Sequence, residues 1–213
     1  TTKGVVSLFP TPVMKVNINR SFTESEMQCI VNIPLEKKNK DGVIMSNHRS
    51  ESYYLFGDSP NLKDIKRICE LELKRYLKNV EGADTDKVNL KITQSWLNKI
   101  KPQEFQQLHT HPNSYISGVL YISCLPNDSI VFTDRNYGSF NNIEFPIEES
   151  TFWNCWHCGI PVKEGDLVIF PSWMMHHVEM NDTKDKERIS LAFNTFPIGE
   201  MGNYKNITHL FLQ

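Results

Sequence analysis

From Val88 onward the chain is a succession of short β-rich runs separated by turn residues, and that texture limits the fold more than any other feature. Residues 88–100, 115–123, 129–133, 143–146, 151–157, 166–170 and 188–196 read as strands. Turn signals stand between them at Pro126-Asn127-Asp128, Asn136-Tyr137-Gly138, Glu164-Gly165-Asp166 and Asn181-Asp182. Several short strands at this spacing suggest a sandwich or barrel. The first ninety residues differ. Residues 5–9 and 13–18 read as short strands broken by Pro10 and Pro12. The run from Ser21 to Glu26 looks like an N-cap followed by a first turn rich in acids, which predicts a helix over about 23–33. Residues 37–42 read as a charged, turn-rich loop. In 61–80 the apolar residues Leu62, Ile65, Ile68, Leu71, Leu73, Tyr76 and Leu77 mark one face of an amphipathic helix. The reading is mainly β with flanking helices (α+β). It has N-terminal strands and supporting helices in 1–87, a β core in 88–198 and a tail in 199–213. The three form one compact domain, and the tail, with Gly199 and Gly202, could cover a barrel mouth.

Charge and composition then exclude several classes. The 213 residues carry 23 basic and 25 acidic side chains, a formal charge of −2, so no electrostatic footprint points to nucleic acid or an anionic membrane. No apolar run approaches the roughly 20 residues that span a bilayer. The first residues show no basic region followed by an apolar one. Five scattered cysteines make no secreted disulfide framework. The expectation is a soluble cytoplasmic protein.

Seven histidines are present, and four fall in two tight groups, His109-Thr110-His111 and His176-His177. In extended chain residues i and i+2 point the same way, so His109 and His111 can converge on one point. A third imidazole from a distant strand would complete a facial ligand set with other coordination positions open. Imidazole suits Fe, Zn, Cu or Ni, and open facial geometry favours a metal that must bind substrate or dioxygen. Single histidines are more often ordinary surface or core residues; the joint pattern is what favours ligation.

Arg188 is the next candidate. By alternation Arg188, Ser190, Ala192 and Asn194 share one face of their strand, and Ile189, Leu191 and Phe193 the other. A polar, small-residue inner face lines a pocket, and a guanidinium inside it needs an anionic partner. A planar carboxylate fits best.

Taken in order, His109-x-His111, Gly165-Asp-Leu-Val-Ile-Phe-Pro-Ser-Trp-Met-Met-His176 and Arg188-x-Ser190 resemble the 2-oxoglutarate/Fe(II)-dependent oxygenases. More narrowly the chain is similar to a family of small oxygenases of bacteria and their viruses. The matching pieces are Leu8-Phe-Pro-Thr-Pro-Val13, Ser95-Trp-Leu-Asn98, Ser117-Gly-Val-Leu-Tyr121 and Arg188-Ile-Ser-Leu-Ala-Phe-Asn194. The resemblance implies a double-stranded β-helix, the jelly roll of cupin-like proteins, with iron at its open end. It implies His109 as first metal ligand and His176 as the distal one, with a swap between His176 and His177 left open. It implies Arg188 pairing with the far carboxylate of 2-oxoglutarate, Ser190 assisting, and Tyr121 and Asn98 as further residues of the co-substrate pocket. Where the superfamily pattern has Asp or Glu, this chain has His111. Either His111 ligates, or it stands behind a water, or the site binds metal poorly; the first is favoured, giving His109, His111 and His176 as the metal set. Asp128 and Asp134 read as turn residues.

The activity so implied is an Fe(II)- and 2-oxoglutarate-dependent dioxygenase. It would hydroxylate an unidentified prime substrate with dioxygen and release succinate and CO2. Two rivals stay open: a cupin-like metalloenzyme that uses no 2-oxoglutarate, and a non-catalytic jelly-roll binding module. Cys155-Trp-His-Cys158 has zinc-like local spacing but no second ligand pair, so it reads as ordinary packing. The stretch Phe152-Trp-Asn-Cys-Trp156 reads as core or pocket wall, and Glu144, Glu148 and Glu149 as acids away from the histidines.

Overall fold

The computed structural model describes residues 4–38, 44–134, 145–151 and 153–213. The expected turn at Asn136-Tyr137-Gly138, residues 143–144 of the expected strand 143–146, Glu144, Phe152 and residues 39–42 of the expected loop lie outside them.

Local rules account for the helices. Thr23 caps α1 (Glu24–Val31) in a capping box with Glu26, whose carboxylate also takes Arg20 at 2.6 Å. A four-residue helix α2 (Leu55–Asp58) and a 3₁₀ turn (Pro60–Leu62) lead into α3 (Lys63–Asn79). Ile65, Cys69, Leu73, Tyr76 and Leu77 form the buried stripe of α3, which packs against the sheet strands β4 (Val88–Ile100) and β9 (Asp166–Pro171). Each such side chain contributes about 1.5–3 kcal/mol when taken out of water.

The remaining strands are β1 (Met14–Asn17), β2 (Leu35–Lys38), β3 (Ile44–Ser50), β5 (Gln106–His109), β6 (Ile116–Ser123), β7 (Ser129–Thr133), β8 (His157–Pro161), β10 (Met175–Val178), β11 (Arg188–Met201) and β12 (Leu210–Leu212). They form an eight-stranded sheet in the order β1-β9-β6-β11-β4-β3-β2, with β12 against β11, and a four-stranded sheet in the order β5-β10-β7-β8. All the strand pairings are antiparallel. The molecule is thus mainly β with few helices.

Period-two alternation sorts the large sheet into two faces. Leu97, Leu120, Leu167, Ile169, Leu191 and Phe193 pack with the helices in one core. Val119, Tyr121, Val168, Phe170 and Ala192 face Ile130 and Phe132 of the small sheet in a second core.

Residues 145–146 of the expected strand 143–146 are coil, and residues 37–38 of the expected loop belong to β2; three further sequence expectations need correction. Residues 5–9 form no strand: Val5, Val6, Leu8 and Phe9 are exposed, so that β-prone run has no partner. Residues 151–156 are turns and coil, and the strand there begins at His157. The tail adds β12 to the far end of β11 at Gly199–Met201, and none of it lines the cavity between the sheets. No helix among the described residues is long and apolar enough to cross a membrane.

Candidate metal centre

Strand pairing assembles the histidines. β10 lies antiparallel to β5 with His176 directly opposite His109, and cross-strand partners on one face stand close. Two residues on, the chain turns through Pro112 and Asn113, whose φ is +60°. The His111 N–H donates to the Ser172 carbonyl at 3.0 Å, which fixes the approach of that imidazole. One ring nitrogen from each of His109, His111 and His176 lies within 4.8 Å of the other two, and among the described residues no other group of three metal-ligating side chains is so placed. His177, next along β10, pairs with Val131 of β7 and is not part of this cluster.

Hydrogen bonds set the tautomers. Nδ1 of His109 is 2.8 Å from the Gln107 carbonyl and Nδ1 of His176 is 2.9 Å from that of Met174. A carbonyl only accepts, so both Nδ1 atoms carry the proton and both Nε2 atoms present lone pairs. Nδ1 of His111 is 2.7 Å from Asn194 Oδ1 and 2.7 Å from Ser117 Oγ, and the Asn194 amide nitrogen donates to Gln94 Oε1 at 2.9 Å. Here too the proton belongs on Nδ1. The Nε2 atoms of His109 and His111 consequently meet at 3.2 Å with lone pairs facing. That arrangement calls for a cation between them. Ligands about 2.1 Å from one metal and at right angles to it stand about 3.0 Å apart.

The surroundings keep the rings uncharged. Phe170 lies 4.8 Å and Phe132 5.9 Å from the His176 ring, and Trp96 sits edge-on to His111 at 5.5 Å. Burial, with the neighbouring imidazoles, lowers His176 to about 2 and His111 to about 4, and burial lowers His109 as well. Neutral imidazole is the form that binds metal.

The histidines stand at one end of a cavity of about 280 Å³ between the sheets. Its floor is the inner face of β4, β11 and β6, whose registers make three rows: Gln94–Asn194–Ser117, Trp96–Ala192–Val119 and Asn98–Ser190–Tyr121. The first row holds His111. Arg188 follows the third, so Arg188, Ser190, Tyr121 and Asn98 all line the end away from the Asn194 row. About 13 Å of strand separates Ser190 from Asn194.

The Arg188 end differs from expectation in one respect. Asp128, read as a turn residue, does close the turn after β6, its Oδ2 accepting the Leu125 N–H at 3.2 Å. It also places Oδ1 3.3 Å from Arg188 Nη1, with the two side chains 4% and 2% exposed. Arg188 therefore has a carboxylate partner inside the chain. Its Nε remains buried with no hydrogen-bond partner, as does the hydroxyl of Tyr121, over whose ring the guanidinium lies at 5.0 Å. Burial raises the Tyr121 phenol to about 12, so it stays a neutral donor.

The cavity also includes Arg49, Tyr53, Gln94, Trp96 and Gln106, which the sequence reading did not select. Alternation along β4 from Asn98 reaches Trp96 and Gln94. Arg49 belongs to β3, which carried no apolar alternation to reveal it, and Tyr53 lies just beyond that strand. Asp134 lies beyond β7 in a second cleft with Cys155, His157 and Cys158. Both cysteines are free, Cys158 exposed and Cys155 half-buried, and among the described residues they belong to no metal-ligating group of three.

Residues 94–194 match the model of a family described as "Putative 2OG-Fe(II) oxygenase". That segment contains all three histidines, Asp128, Arg188 and Ser190. That segment, a little under half of the chain, is thus similar to the 2-oxoglutarate/Fe(II)-dependent oxygenases. Solved structures share the fold. An oxidoreductase of the 2OG-Fe(II) oxygenase family from Burkholderia pseudomallei aligns with TM-score 0.56 and 12% identity over 86% of this chain and 84% of that one. HygX from Streptomyces hygroscopicus, with nickel, 2-oxoglutarate and hygromycin B bound, aligns with TM-score 0.59 and 12% identity over 87% and 82%. The epimerase SnoN, in complex with Fe3+, alpha ketoglutarate and nogalamycin RO, aligns with TM-score 0.57 and 8% identity over 89% and 81%. No curated protein matches the sequence significantly.

Proposed function

We propose that this chain is an oxygenase in which His109, His111 and His176 hold Fe(II) and Arg188 holds the far carboxylate of 2-oxoglutarate, inside a double-stranded β-helix formed by residues 88–198 and supported by 1–87. The observation that carries the reading is the convergence of three neutral imidazoles at one end of a cavity with a buried guanidinium toward its other end. The donor set fits ferrous iron: three nitrogen ligands leave open positions, and each ring is oriented by an oxygen acceptor behind it.

When bound, the iron with its keto acid supplies the oxidising power, consuming dioxygen, releasing succinate and CO2 and hydroxylating a prime substrate. The chain's own residues do the rest. Gln107, Asn194 and Met174 fix the imidazoles through their Nδ1 protons. Arg188 and the Tyr121 hydroxyl offer buried donors to a carboxylate, with Ser190 and Asn98 in the same row. Phe132, Phe170, Val119 and Ile130 keep the interior dry, which strengthens every charge interaction within it.

The test is consumption of 2-oxoglutarate and formation of succinate by the iron-loaded protein under oxygen. His176→Ala is expected to abolish turnover. Arg188→Ala is expected to raise the KM for 2-oxoglutarate by about two orders of magnitude, the scale for losing one partner of a buried charge pair. Wild-type turnover in both variants would refute the assignment. A second reading, a metalloenzyme that takes no keto acid, draws on the Asp128 partner that Arg188 already has; 2-oxoglutarate binding separates the two.

A further inference from the structure

We propose that Asp128 is a built-in counter-ion to Arg188 that competes with the far carboxylate of the co-substrate, and so sets both the affinity and the charge selectivity of the site for 2-oxo acids. The inference rests on the reading of Arg188 given above.

Three observations carry it. First, both members of the pair are almost wholly buried. A guanidinium there without an anion would burden the unloaded protein with an uncompensated charge, and Asp128 removes that burden. Second, the pair is incomplete. One carboxylate oxygen meets one Nη1 at 3.3 Å, longer than the 2.7–2.9 Å usual for such a bond. Nη1 otherwise reaches the Ser129 carbonyl at 3.5 Å, while Arg188 Nε and the Tyr121 hydroxyl lack partners. The socket can accept a second acceptor without displacing the first. Third, Asp128 is anchored. Its Oδ2 accepts the Leu125 N–H at 3.2 Å and its backbone carbonyl accepts the Val162 N–H at 2.9 Å. Its charge therefore stays when a ligand arrives, and Arg188 must be shared between two carboxylates.

The charge balance gives this sharing a reason. No Asp or Glu lines the cavity among the described residues, and imidazole binds a metal in its neutral form. A divalent iron, Arg188 and Arg49, which also lines the cavity, bring four positive charges; Asp128 and a dianionic 2-oxo diacid bring three negative ones. The loaded site carries one excess positive charge with Asp128 and two without it. The carboxylate that the metal lacks stands at the opposite end of the co-substrate.

The experiment uses the Fe(II)-loaded protein without oxygen, wild type and Asp128→Asn, which keeps the shape and an oxygen acceptor. Each is titrated calorimetrically with 2-oxoglutarate and with its analogue bearing an amide in place of the far carboxylate, and thermal unfolding is followed with and without ligand. The variant is expected to unfold at a lower temperature when free and to bind 2-oxoglutarate about tenfold or more tightly than wild type. Its 2-oxoglutarate-induced rise in Tm should be larger, with no such gain for the amide. A purely structural role would lower Tm and leave the ligand terms where they were. Wild type that binds 2-oxoglutarate beside a variant that binds it no more tightly overturns the inference alone. Wild type that binds neither compound overturns the oxygenase reading and the inference with it. Should Asp128→Asn not fold unaided, adding 2-oxoglutarate is expected to restore a cooperative unfolding transition; no recovery, where wild type binds the ligand, overturns the inference.

Discussion

His111 stands where the resemblance read from the sequence leads one to expect an acid, and the groups behind it suit an imidazole there. Asn194 Oδ1 accepts the hydrogen bond from Nδ1–H, Gln94 orients the Asn194 amide, and Ser117 adds a hydroxyl at 2.7 Å. Partners behind a metal-ligating histidine typically account for 10–100-fold in metal affinity. Because Ser117 also reaches Nδ1, Asn194→Ala should fall at the low end, about tenfold weaker Fe(II) binding, measured by competition with a chelator of known affinity; unchanged affinity would mean that Asn194 does not set the tautomer. At this scale the sequence was informative wherever side-chain direction follows from spacing. The i, i+2 relation of His109 and His111 and the alternation through Arg188, Ser190, Ala192 and Asn194 needed no coordinates. Asp128 was opaque, because its contact with Arg188 depends on how the turn between β6 and β7 folds back, which no local pattern records.

Elements built on strong local signals were legible, and those that exist only through partners were not. Residues 88–100 and 129–133 form strands β4 and β7 over the expected spans, and the apolar stripe of 61–80 appears as α3, Lys63–Asn79. β3, with the polar run Ser46-Asn47-His48-Arg49-Ser50, is held as a strand by pairing with β4 and β2, so its sequence reads as a loop. Residues 5–9 show the converse, β-prone chain with nothing to pair with. β11 is the structural spine, hydrogen-bonded to β4 along most of its length and to β6 along its first half. Where β11 faces β6, Gly118 is opposite Phe193, and a Cβ at Gly118 would overlap the Phe193 ring, itself fully buried. Gly118→Ala should destabilise by about 1–3 kcal/mol, seen in the midpoint of a denaturant titration. A neutral effect would mean that the ring can move, and that the rows carrying Asn194 and Ser190 are less firmly set than their packing implies.

Across the whole molecule, two sheets close around a cavity lined by three imidazoles at one end and by an internally compensated guanidinium toward the other. The first half of the chain closes the edges of the larger sheet, β1 on one side and β3–β2 on the other. α3 covers the face turned away from the cavity. The site therefore depends on chain separated by well over a hundred residues, and its chemistry is a property of the assembled fold. The most direct test of the account is a visible spectrum of the protein under strict exclusion of oxygen, first with Fe(II) alone and then with 2-oxoglutarate added. The account predicts that Fe(II) binds and that 2-oxoglutarate then produces a weak absorption band of the kind given by keto-acid chelates, absent in His176→Ala. Iron binding with no band on adding 2-oxoglutarate would contradict the co-substrate assignment, and failure to bind iron at all would contradict the three-histidine centre itself.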